Sequence, residues 1–219
     1  MTAAVIVQAR LGSYRLPAKV TLPLTVAPGV ERTVLEEVLL RCKRVPGVDV
    51  VVCAMPSTLS NRTLLTPLAR RAGAEVIAWD GPQNDVLGRY AYAARAVGAD
   101  AILRVTSDCP LIDPDVCGLV LDCVKNGPAL FACNNEPRSF PVGFDCEAFG
   151  IDALLHADAH ATDPEDREHV SPFIRRVCSA SMMNVAAAED RSHLRWTLDT
   201  EEDYAVIRGI FEEQMREAA

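Results

Sequence analysis

Apolar positions along the chain form short continuous runs that are separated by longer stretches with helical spacing. Residues 3–9 form a run rich in β-branched side chains, typical of a strand buried on both faces of a sheet. A loop at 10–28 follows, and apolar residues then recur on one helical face at 31–44. A Pro-Gly pair ends that helix before a second buried run at 48–54. This order predicts a βαβ unit.

The same alternation continues as far as residue 133, although its rhythm is already looser after Asp108. It predicts, in chain order, a helix that ends at Gly73, a strand at 75–78, a helix at about 84–97, a strand at 101–105, a helix at about 113–125 and a strand at 129–133. Pro67 leaves the start of the first of these helices open, because proline fits best in the first turn of a helix. Alternating strands and helices with short loops predict an α/β fold with a mostly parallel sheet in three layers.

The rhythm loosens beyond this region. A Pro- and Gly-rich stretch at 134–143 leads into short elements that continue to about residue 185. A strand at 194–198 and a final helix close the pattern. Thr200 is the expected N-cap of that helix, with Asp203 three residues later in a variant of the capping box.

Composition narrows the class of protein. The 219 residues, 49% of them apolar, suit one domain with a sizeable core. The 22 basic and 30 acidic residues give a net charge of −8, which argues against a general nucleic-acid binder and makes any anion site local. The eight cysteines include no C-x-x-C pair and lie mostly in apolar runs, as reduced cytosolic thiols do. Without a basic leader or an apolar stretch of ~18 residues, we expect a soluble cytoplasmic protein and no membrane partner.

Three cations, Arg10, Arg15 and Lys19, lie in the loop that directly follows the first strand. Ligands of open α/β sheets bind beyond the carboxyl ends of the strands, where Arg, Lys and backbone N–H groups form a cradle for phosphates. The spacing matches neither the dinucleotide-binding pattern nor the P-loop. A solvated loop with scattered charges is the alternative.

Asp108 and Asp199 each follow a predicted strand at the same edge of the sheet. Carboxylate oxygens opposite a phosphate cradle commonly hold Mg²⁺, so the two side chains could share one metal ion with triphosphate oxygens. Capping of the following turn or helix is the structural alternative for both residues.

Asp85 and Arg89 open a predicted helix whose N-terminus could face the nucleotide. The alternative is a surface ion pair between residues four positions apart.

A further group of polar residues lies in the loosened region. Gly143, Asp145 and Glu147 place two carboxylates on one face of an extended segment, beside a glycine that permits close approach of a ligand. These carboxylates suit the hydroxyl groups of an acceptor or a second metal, and a solvated strand face explains them equally well. His169 is either a group that binds the acceptor or a structural hydrogen-bonding residue.

Six blocks of the chain together resemble one family. They are residues 6–20, 85–90, 104–112, 141–149, 167–174 and 195–204. Their sequence and order are similar to those of the cytidylyltransferases of the spore coat polysaccharide biosynthesis protein F group, which are relatives of CMP-KDO and CMP-acylneuraminate synthetases. Two departures stand in the first block, where Ala18 replaces the usual Gly and Tyr14 the usual Thr.

The resemblance implies a single nucleotidyltransferase domain over residues 1–219, with a Rossmann-type sheet similar to that of the GT-A glycosyltransferases. It implies an excursion at about 134–180 that closes the acceptor site and forms a homodimer contact. The expected reaction transfers CMP from CTP to a sugar or small acid and releases pyrophosphate, in the biosynthesis of a surface polysaccharide or other glycan. The alternatives are a glycosyltransferase that uses a nucleotide sugar and a non-catalytic nucleotide-binding protein.

The resemblance also assigns roles to residues. Lys19, Arg15 and Asp108 are the expected catalytic residues, and Asp108 and Asp199 the expected ligands of Mg²⁺. Contacts to the nucleotide are expected from Ala9, Arg10, Leu11, Gly12, Ser13, Arg15, Lys19, Ala54, Asp85 and Arg89. Contacts to the acceptor are expected from Gly143, Asp145, Glu147 and His169.

Overall fold

The computed structural model of the chain describes residues 1–217. This part of the chain forms nine strands: β1 (Ala3–Gln8), β2 (Pro23–Ala27), β3 (Val30–Thr33), β4 (Val50–Pro56), β5 (Glu75–Trp79), β6 (Ala101–Thr106), β7 (Phe131–Cys133), β8 (Glu147–Gly150) and β9 (Met182–Asn184). It also forms eight α-helices: α1 (Val34–Cys42), α2 (Leu59–Arg71), α3 (Val86–Ala96), α4 (Pro114–Lys125), α5 (Ile151–His160), α6 (Pro164–His169), α7 (Ser171–Cys178) and α8 (Glu201–Glu217).

Seven strands form one sheet in the order β5-β4-β1-β6-β8-β7-β9. Strand β1 pairs in parallel with β4 and β6, and Gln8 at its end lies in register with Ala54 on one side and Thr106 on the other. The carboxyl ends of these three strands therefore share one edge of the sheet. The α/β class and the mostly parallel sheet predicted from the sequence are confirmed.

Strand β8 is antiparallel and lies between β6 and β7. It belongs to the segment 134–180, which therefore contributes a strand to the main sheet, while its helix α5 packs against α3. The segment is therefore built into the sheet.

Two apolar clusters cover the two faces of the sheet, which gives the three layers. Val5 of β1 belongs to the cluster formed with α1, α2 and α4, and its neighbour Ile6 belongs to the cluster formed with α3, α5 and α7. Both side chains have 0% exposure. The hydroxyl of Tyr90 on α3 donates to the backbone oxygen of Ile6 at 2.9 Å, which ties the helix to the sheet.

Local details differ from the sequence prediction in the first half of the chain. The loop predicted at 10–28 contains β2, which pairs with β3 in a separate antiparallel hairpin. Helix α1 consequently begins later than residue 31, at a capping box formed by Thr33 and Glu36. Pro67 lies inside α2, whose N-cap is Thr58, so proline does not mark the start of that helix.

The strand predicted at 194–198 is wrong. This segment makes one isolated parallel bridge, between Arg195 and Val142, and runs on without a strand partner. The cap predicted for the final helix is present: the N–H of Asp203 donates to Thr200 Oγ1 at 3.2 Å, and the N–H of Thr200 donates to Asp203 Oδ2 at 3.0 Å.

All eight cysteines are free thiols, and seven of them are buried. Burial raises the pKa of the Cys53 thiol to about 12, which makes it a poor nucleophile. Among the helices of residues 1–217, none combines the length and the apolar character needed to cross a bilayer.

Candidate active site

A cleft of about 660 Å³ opens at the sheet edge where β1 and β6 end. Its walls come from the loop after β1, the start of α3, the end of β6, the segment 135–145, the end of α6 and the segment 195–199. This is the position where open α/β sheets bind ligands, and the volume suits a small molecule.

The loop after β1 is folded tightly upon itself. The backbone oxygen of Leu11 accepts hydrogen bonds from the N–H groups of Ser13 and Ala18 at 2.9 and 3.0 Å. The N–H of Leu11 donates to Asn61 Oδ1 at 3.0 Å, which anchors the loop to α2. Ala18 has a φ of 54°, the left-handed conformation that glycine adopts most easily. This conformation explains why the family that the chain resembles usually has glycine at this position.

The ammonium of Lys19 lies between the two predicted metal ligands. Its Nζ is 2.6 Å from Asp108 Oδ2 and 2.9 Å from Asp199 Oδ1, and it also donates to the backbone oxygen of Leu198 at 2.6 Å. The side chain is 11% exposed. Burial alone would lower the pKa of Lys19, but the two carboxylates outweigh it and raise the pKa above its ordinary value.

Asp199 is held by further cations. Arg15 Nη2 lies 2.9 Å from its Oδ1, and Arg195 Nη2 lies 2.7 Å from its Oδ2. Burial would raise the pKa of Asp199, but the contacts with Lys19, Arg195 and Arg15 lower it. The carboxylate is therefore ionised at neutral pH and stands among three positive charges.

Arg89 is a buried cation at the wall of the cleft, with 1% exposure. Its Nη2 donates to the backbone oxygen of Gln83 at 2.5 Å, and its Nε is buried without a hydrogen-bond partner in the part of the chain that the structure describes. Burial lowers the pKa of Arg89 to about 10, and the nearby charge of Arg10 adds to this effect. A buried guanidinium of this kind is suited to an anionic group of a ligand.

Asp85 does not lie on the cleft. Its carboxylate caps α3 by accepting from the N–H of Gly88 at 3.0 Å, and Arg167 holds it through two hydrogen bonds of 2.8 Å. The surface pair with Arg89 is also absent, because the partner of Asp85 is Arg167. A direct contact between Asp85 and a nucleotide is therefore not supported by its placement.

Among the residues predicted to contact the acceptor, Asp145 lines the cleft and forms an ion pair of 2.6 Å with Arg138. Gly143 does not line it. A Cβ at Gly143 would lie 2.6 Å from the backbone carbon of Trp196, and its φ is 108°. The glycine therefore serves the close approach of two segments of this chain rather than the approach of a ligand.

Glu147 is also placed away from the cleft, against expectation. It is 3% exposed, accepts from Arg104 at 2.9 Å and Arg175 at 2.5 Å, and accepts from the hydroxyl of Ser171 at 2.9 Å. It does not share a face with Asp145, because β8 begins only at residue 147 and the preceding backbone is irregular. Its effect on the site is indirect, since Arg104 does line the cleft.

His169 and Glu168 at the end of α6 both line the cleft. Arg10 Nη2 lies 3.8 Å from Glu168 Oε1, so the loop after β1 approaches the end of α6. The imidazole of His169 is exposed to the open cleft.

The structure thus brings most of the predicted site residues to one cleft. Those that line it are Ala9, Arg10, Ser13, Arg15, Lys19, Arg89, Asp108, Asp145, His169 and Asp199. Those that do not line it are Leu11, Gly12, Ala54, Asp85, Gly143 and Glu147. Ala54 is fully buried and its backbone oxygen fixes the N–H of Ala9 at 3.0 Å, so it supports the loop from below.

Several lining residues were not predicted. Gln8, Arg104, Arg138 and Arg195 contribute polar groups to the cleft. Arg104 and Arg195 stand in two of the six blocks that carry the resemblance, so a signal existed for them. Arg138 lies in the Pro- and Gly-rich stretch, where no helix or strand periodicity predicts the direction of a side chain.

The chain matches the sequence model of a family described as cytidylyltransferase over residues 4–217. A solved structure of a cytidylyltransferase from Leptospira borgpetersenii superposes with a TM-score of 0.87 at 30% identity, covering 97% of this chain and 87% of that one. The spore coat polysaccharide biosynthesis protein SpsF of Bacillus subtilis is 28% identical over 217 residues, which cover 94% of this chain and 85% of that protein. A 3-deoxy-manno-octulosonate cytidylyltransferase of Maricaulis maris is 31% identical over 132 residues, which cover 59% of this chain and 47% of that protein.

Proposed function

The chain belongs to the cytidylyltransferase family, and we propose that it transfers CMP from CTP to a hydroxyl of a sugar acid with release of pyrophosphate. The observation that carries the proposal is the cleft at the end of β1, where Lys19 contacts the carboxylates of Asp108 and Asp199 beside two further cations, Arg10 and Arg15. The names of the relatives support the acceptor class, because one of them acts on 3-deoxy-manno-octulosonate and another serves polysaccharide biosynthesis.

Arg10, Arg15 and Lys19 form the triphosphate side of the proposed site. The acceptor oxygen attacks the α-phosphorus of CTP, a new O–P bond forms, and the bond to the β-phosphate oxygen breaks. Negative charge grows on the departing pyrophosphate, and fixed cations in a partly buried cleft stabilise it. No covalent intermediate with the protein is required.

Asp108 and Asp199 fit a divalent cation of the Mg²⁺ type by the chemistry of their donor atoms. One oxygen of each carboxylate lies within 3 Å of the Lys19 ammonium, so the two side chains already converge on a positive charge. Among residues 1–217 no three His, Cys, Asp or Glu side chains form a cluster, so the remaining ligands would be phosphate oxygens and water. When bound, the metal ion would supply charge neutralisation at the phosphates.

Asp145 and His169 form the proposed acceptor side. Asp145 can accept a hydrogen bond from an acceptor hydroxyl while it keeps its ion pair with Arg138. A ring nitrogen of His169 can accept the proton of the attacking hydroxyl, since its imidazole faces the open cleft.

The glycosyltransferase alternative is less well supported. An Asp-x-Asp motif built on Asp108 would need a second carboxylate two positions away, and the residues there are Thr106 and Pro110. The non-catalytic alternative would have lost one of the paired aspartates, and this chain keeps both.

Pyrophosphate release tests the proposal. We expect release from CTP and Mg²⁺ only when a sugar acid such as 3-deoxy-manno-octulosonate or an acylneuraminate is present, together with a CMP-linked product in mass spectrometry. Lys125→Met is the matched control for Lys19→Met, because Lys125 pairs with Asp49 outside the cleft. Release from CTP without any acceptor, or transfer of sugar from a nucleotide sugar, would contradict the proposal.

A further inference from the structure

Two backbone positions in residues 1–217 combine a side chain with a positive φ: Ala18 at 54° and Val170 at 70°. Each is the sequence neighbour of a side chain that lines the cleft, Lys19 and His169. Positive φ is especially unfavourable for a β-branched residue, and such strain persists only where the surrounding structure enforces it. Val170 therefore marks a point where the fold forces a turn directly after His169.

Packing enforces the turn. The side chain of Val170 has 0% exposure and belongs to the same apolar cluster as Ile174 and Leu154. Its N–H donates to the backbone oxygen of Asp166 at 3.0 Å, which closes α6, and α7 begins at the next residue. The burial of Val170 thus fixes the backbone at the point from which His169 projects into the cleft.

Arg167 holds the same turn from the other side. Its guanidinium donates to both carboxylate oxygens of Asp85 at 2.8 Å and to Asp158 Oδ1 at 2.9 Å. It also donates to the backbone oxygens of Asp158 and Ala161 at 2.8 and 3.3 Å. A guanidinium has five N–H groups, so these five bonds use its full donor capacity. Arg167 is therefore a structural connection and has no donor left for a ligand.

The connection joins two walls of the cleft. Asp85 caps α3, from which Val86 and Arg89 line the cleft, and Arg167 precedes Glu168 and His169, which also line it. The ion pair between Asp85 and Arg167 thus fixes the start of α3 relative to the end of α6.

We propose that Asp85, Arg167 and Val170 are positioning residues that hold Glu168 and His169 in place on the acceptor side of the cleft. The identity of the bound acceptor rests on the proposed function, whereas the positioning role rests on the geometry alone. Loss of the connection displaces His169. The loop after β1 keeps its own anchor, the hydrogen bond from Leu11 to Asn61, and approaches α6 only through Arg10, at 3.8 Å from Glu168.

The test compares two conservative substitutions in neighbouring ion pairs. Arg167→Lys weakens the connection, and Arg176→Lys is the matched control, since Arg176 on α7 pairs with Asp166 on α6 at 2.5 Å and does not line the cleft. The readout is the imidazole NMR signal of His169, assigned with His169→Gln. We expect this signal to shift and broaden in Arg167→Lys and to stay unchanged in Arg176→Lys.

Binding and turnover separate positioning from a general loss of structure. In Arg167→Lys the dissociation constant for CTP with Mg²⁺ should stay within about twofold of wild type, while kcat/KM for 3-deoxy-manno-octulosonate as the probe acceptor falls by about tenfold or more. Val170→Gly removes the buried side chain that anchors the turn and should disturb the His169 signal in the same way.

An unchanged His169 signal in both Arg167→Lys and Val170→Gly would overturn the positioning role, even where thermal stability falls. Absence of turnover with every acceptor in the wild type would overturn the proposed function alone. The NMR and CTP-binding measurements decide the positioning role in either case.

Discussion

Lys19 shares its ammonium between two carboxylates, so its loss has two separable effects. Lys19→Met should lower turnover by about 100- to 1000-fold, because a fixed positive charge beside the leaving phosphates disappears. It should also leave Asp108 and Asp199 free of their common cation, and we expect the variant to bind Mn²⁺ without nucleotide more tightly than wild type. Electron paramagnetic resonance of Mn²⁺ measures this affinity directly. Equal Mn²⁺ binding by Lys19→Met and wild type would show that the carboxylate pair is not a cation site.

Ala18 is strained by its left-handed backbone, and Ala18→Gly should relieve that strain. We expect a gain of about 0.5–1 kcal/mol in the free energy of unfolding, since the relief exceeds the added freedom of the unfolded chain. Urea unfolding measures the change. Ala186→Gly is the control, because this exposed loop alanine lacks a positive φ and its substitution should destabilise slightly. A loss of stability in Ala18→Gly would mean that the strain is not relieved.

At the scale of elements, Glu147 at the start of β8 has a structural role that differs from the role of Asp145. Glu147→Ala removes one partner of buried ion pairs with Arg104 and Arg175, and we expect it to destabilise the protein by about 3 kcal/mol. Asp145→Ala should change stability much less and should weaken use of the acceptor instead. Urea unfolding and acceptor KM, measured on both variants, separate these roles. Comparable stability losses in the two variants would contradict the assignment.

The stability of the protein should depend on pH through Asp203 at the N-terminus of α8. Burial would raise the pKa of Asp203, but its bonds from Arg195 and from the N–H groups of Asp199 and Thr200 lower it below the ordinary 3.8. Its contribution to stability is therefore complete above about pH 4 and is lost as the pH falls through the lowered value. Asp203→Asn should make the acid decline in unfolding free energy shallower, while Glu202→Gln, an exposed neighbour, should leave it unchanged. Identical acid limbs in wild type and Asp203→Asn would refute this.

Elements with a clear apolar pattern along their own sequence were predictable. Elements that depend on pairing with another segment were not. The strand β1 and the helix α4 follow from local sequence alone, whereas the hairpin of β2 and β3 looks like a loop because its strands are short and partly polar. The segment 194–198 reads as a strand but finds only Val142 to pair with. The sequence pattern indicates that a segment can form a strand. Whether it does so depends on an available neighbouring strand with which it can pair.

The same limit applies to the site. Lys19 and Asp108 were predictable because the carboxyl ends of parallel strands meet at one edge. Asp85 and Glu147 were misplaced because their partners, Arg167 and Arg175, are distant in sequence and no local pattern reveals them.

At the scale of the whole molecule, an acidic chain concentrates cations in one cleft, so substrate binding should register as global stabilisation. CTP with Mg²⁺ at 100 times its dissociation constant should add about 2.7 kcal/mol to the free energy of unfolding. With EDTA we expect this gain to shrink and turnover to stop. Thermal unfolding and pyrophosphate release measure the two effects, and an unchanged rate in EDTA would make the metal assignment wrong. The homodimer stays a prediction, which sedimentation velocity checks.

The contact between Lys19 and Asp199 spans 180 residues of sequence, so segments that are far apart in the chain meet in the cleft. During translation, the cationic loop and Asp108 leave the ribosome well before the segment that carries Asp199. A chain that ends before Asp199 therefore lacks one of the two carboxylates that contact Lys19. We expect a chain truncated before Asp199 to show no cytidylyl transfer, because Lys19 would lose one of its two carboxylate partners.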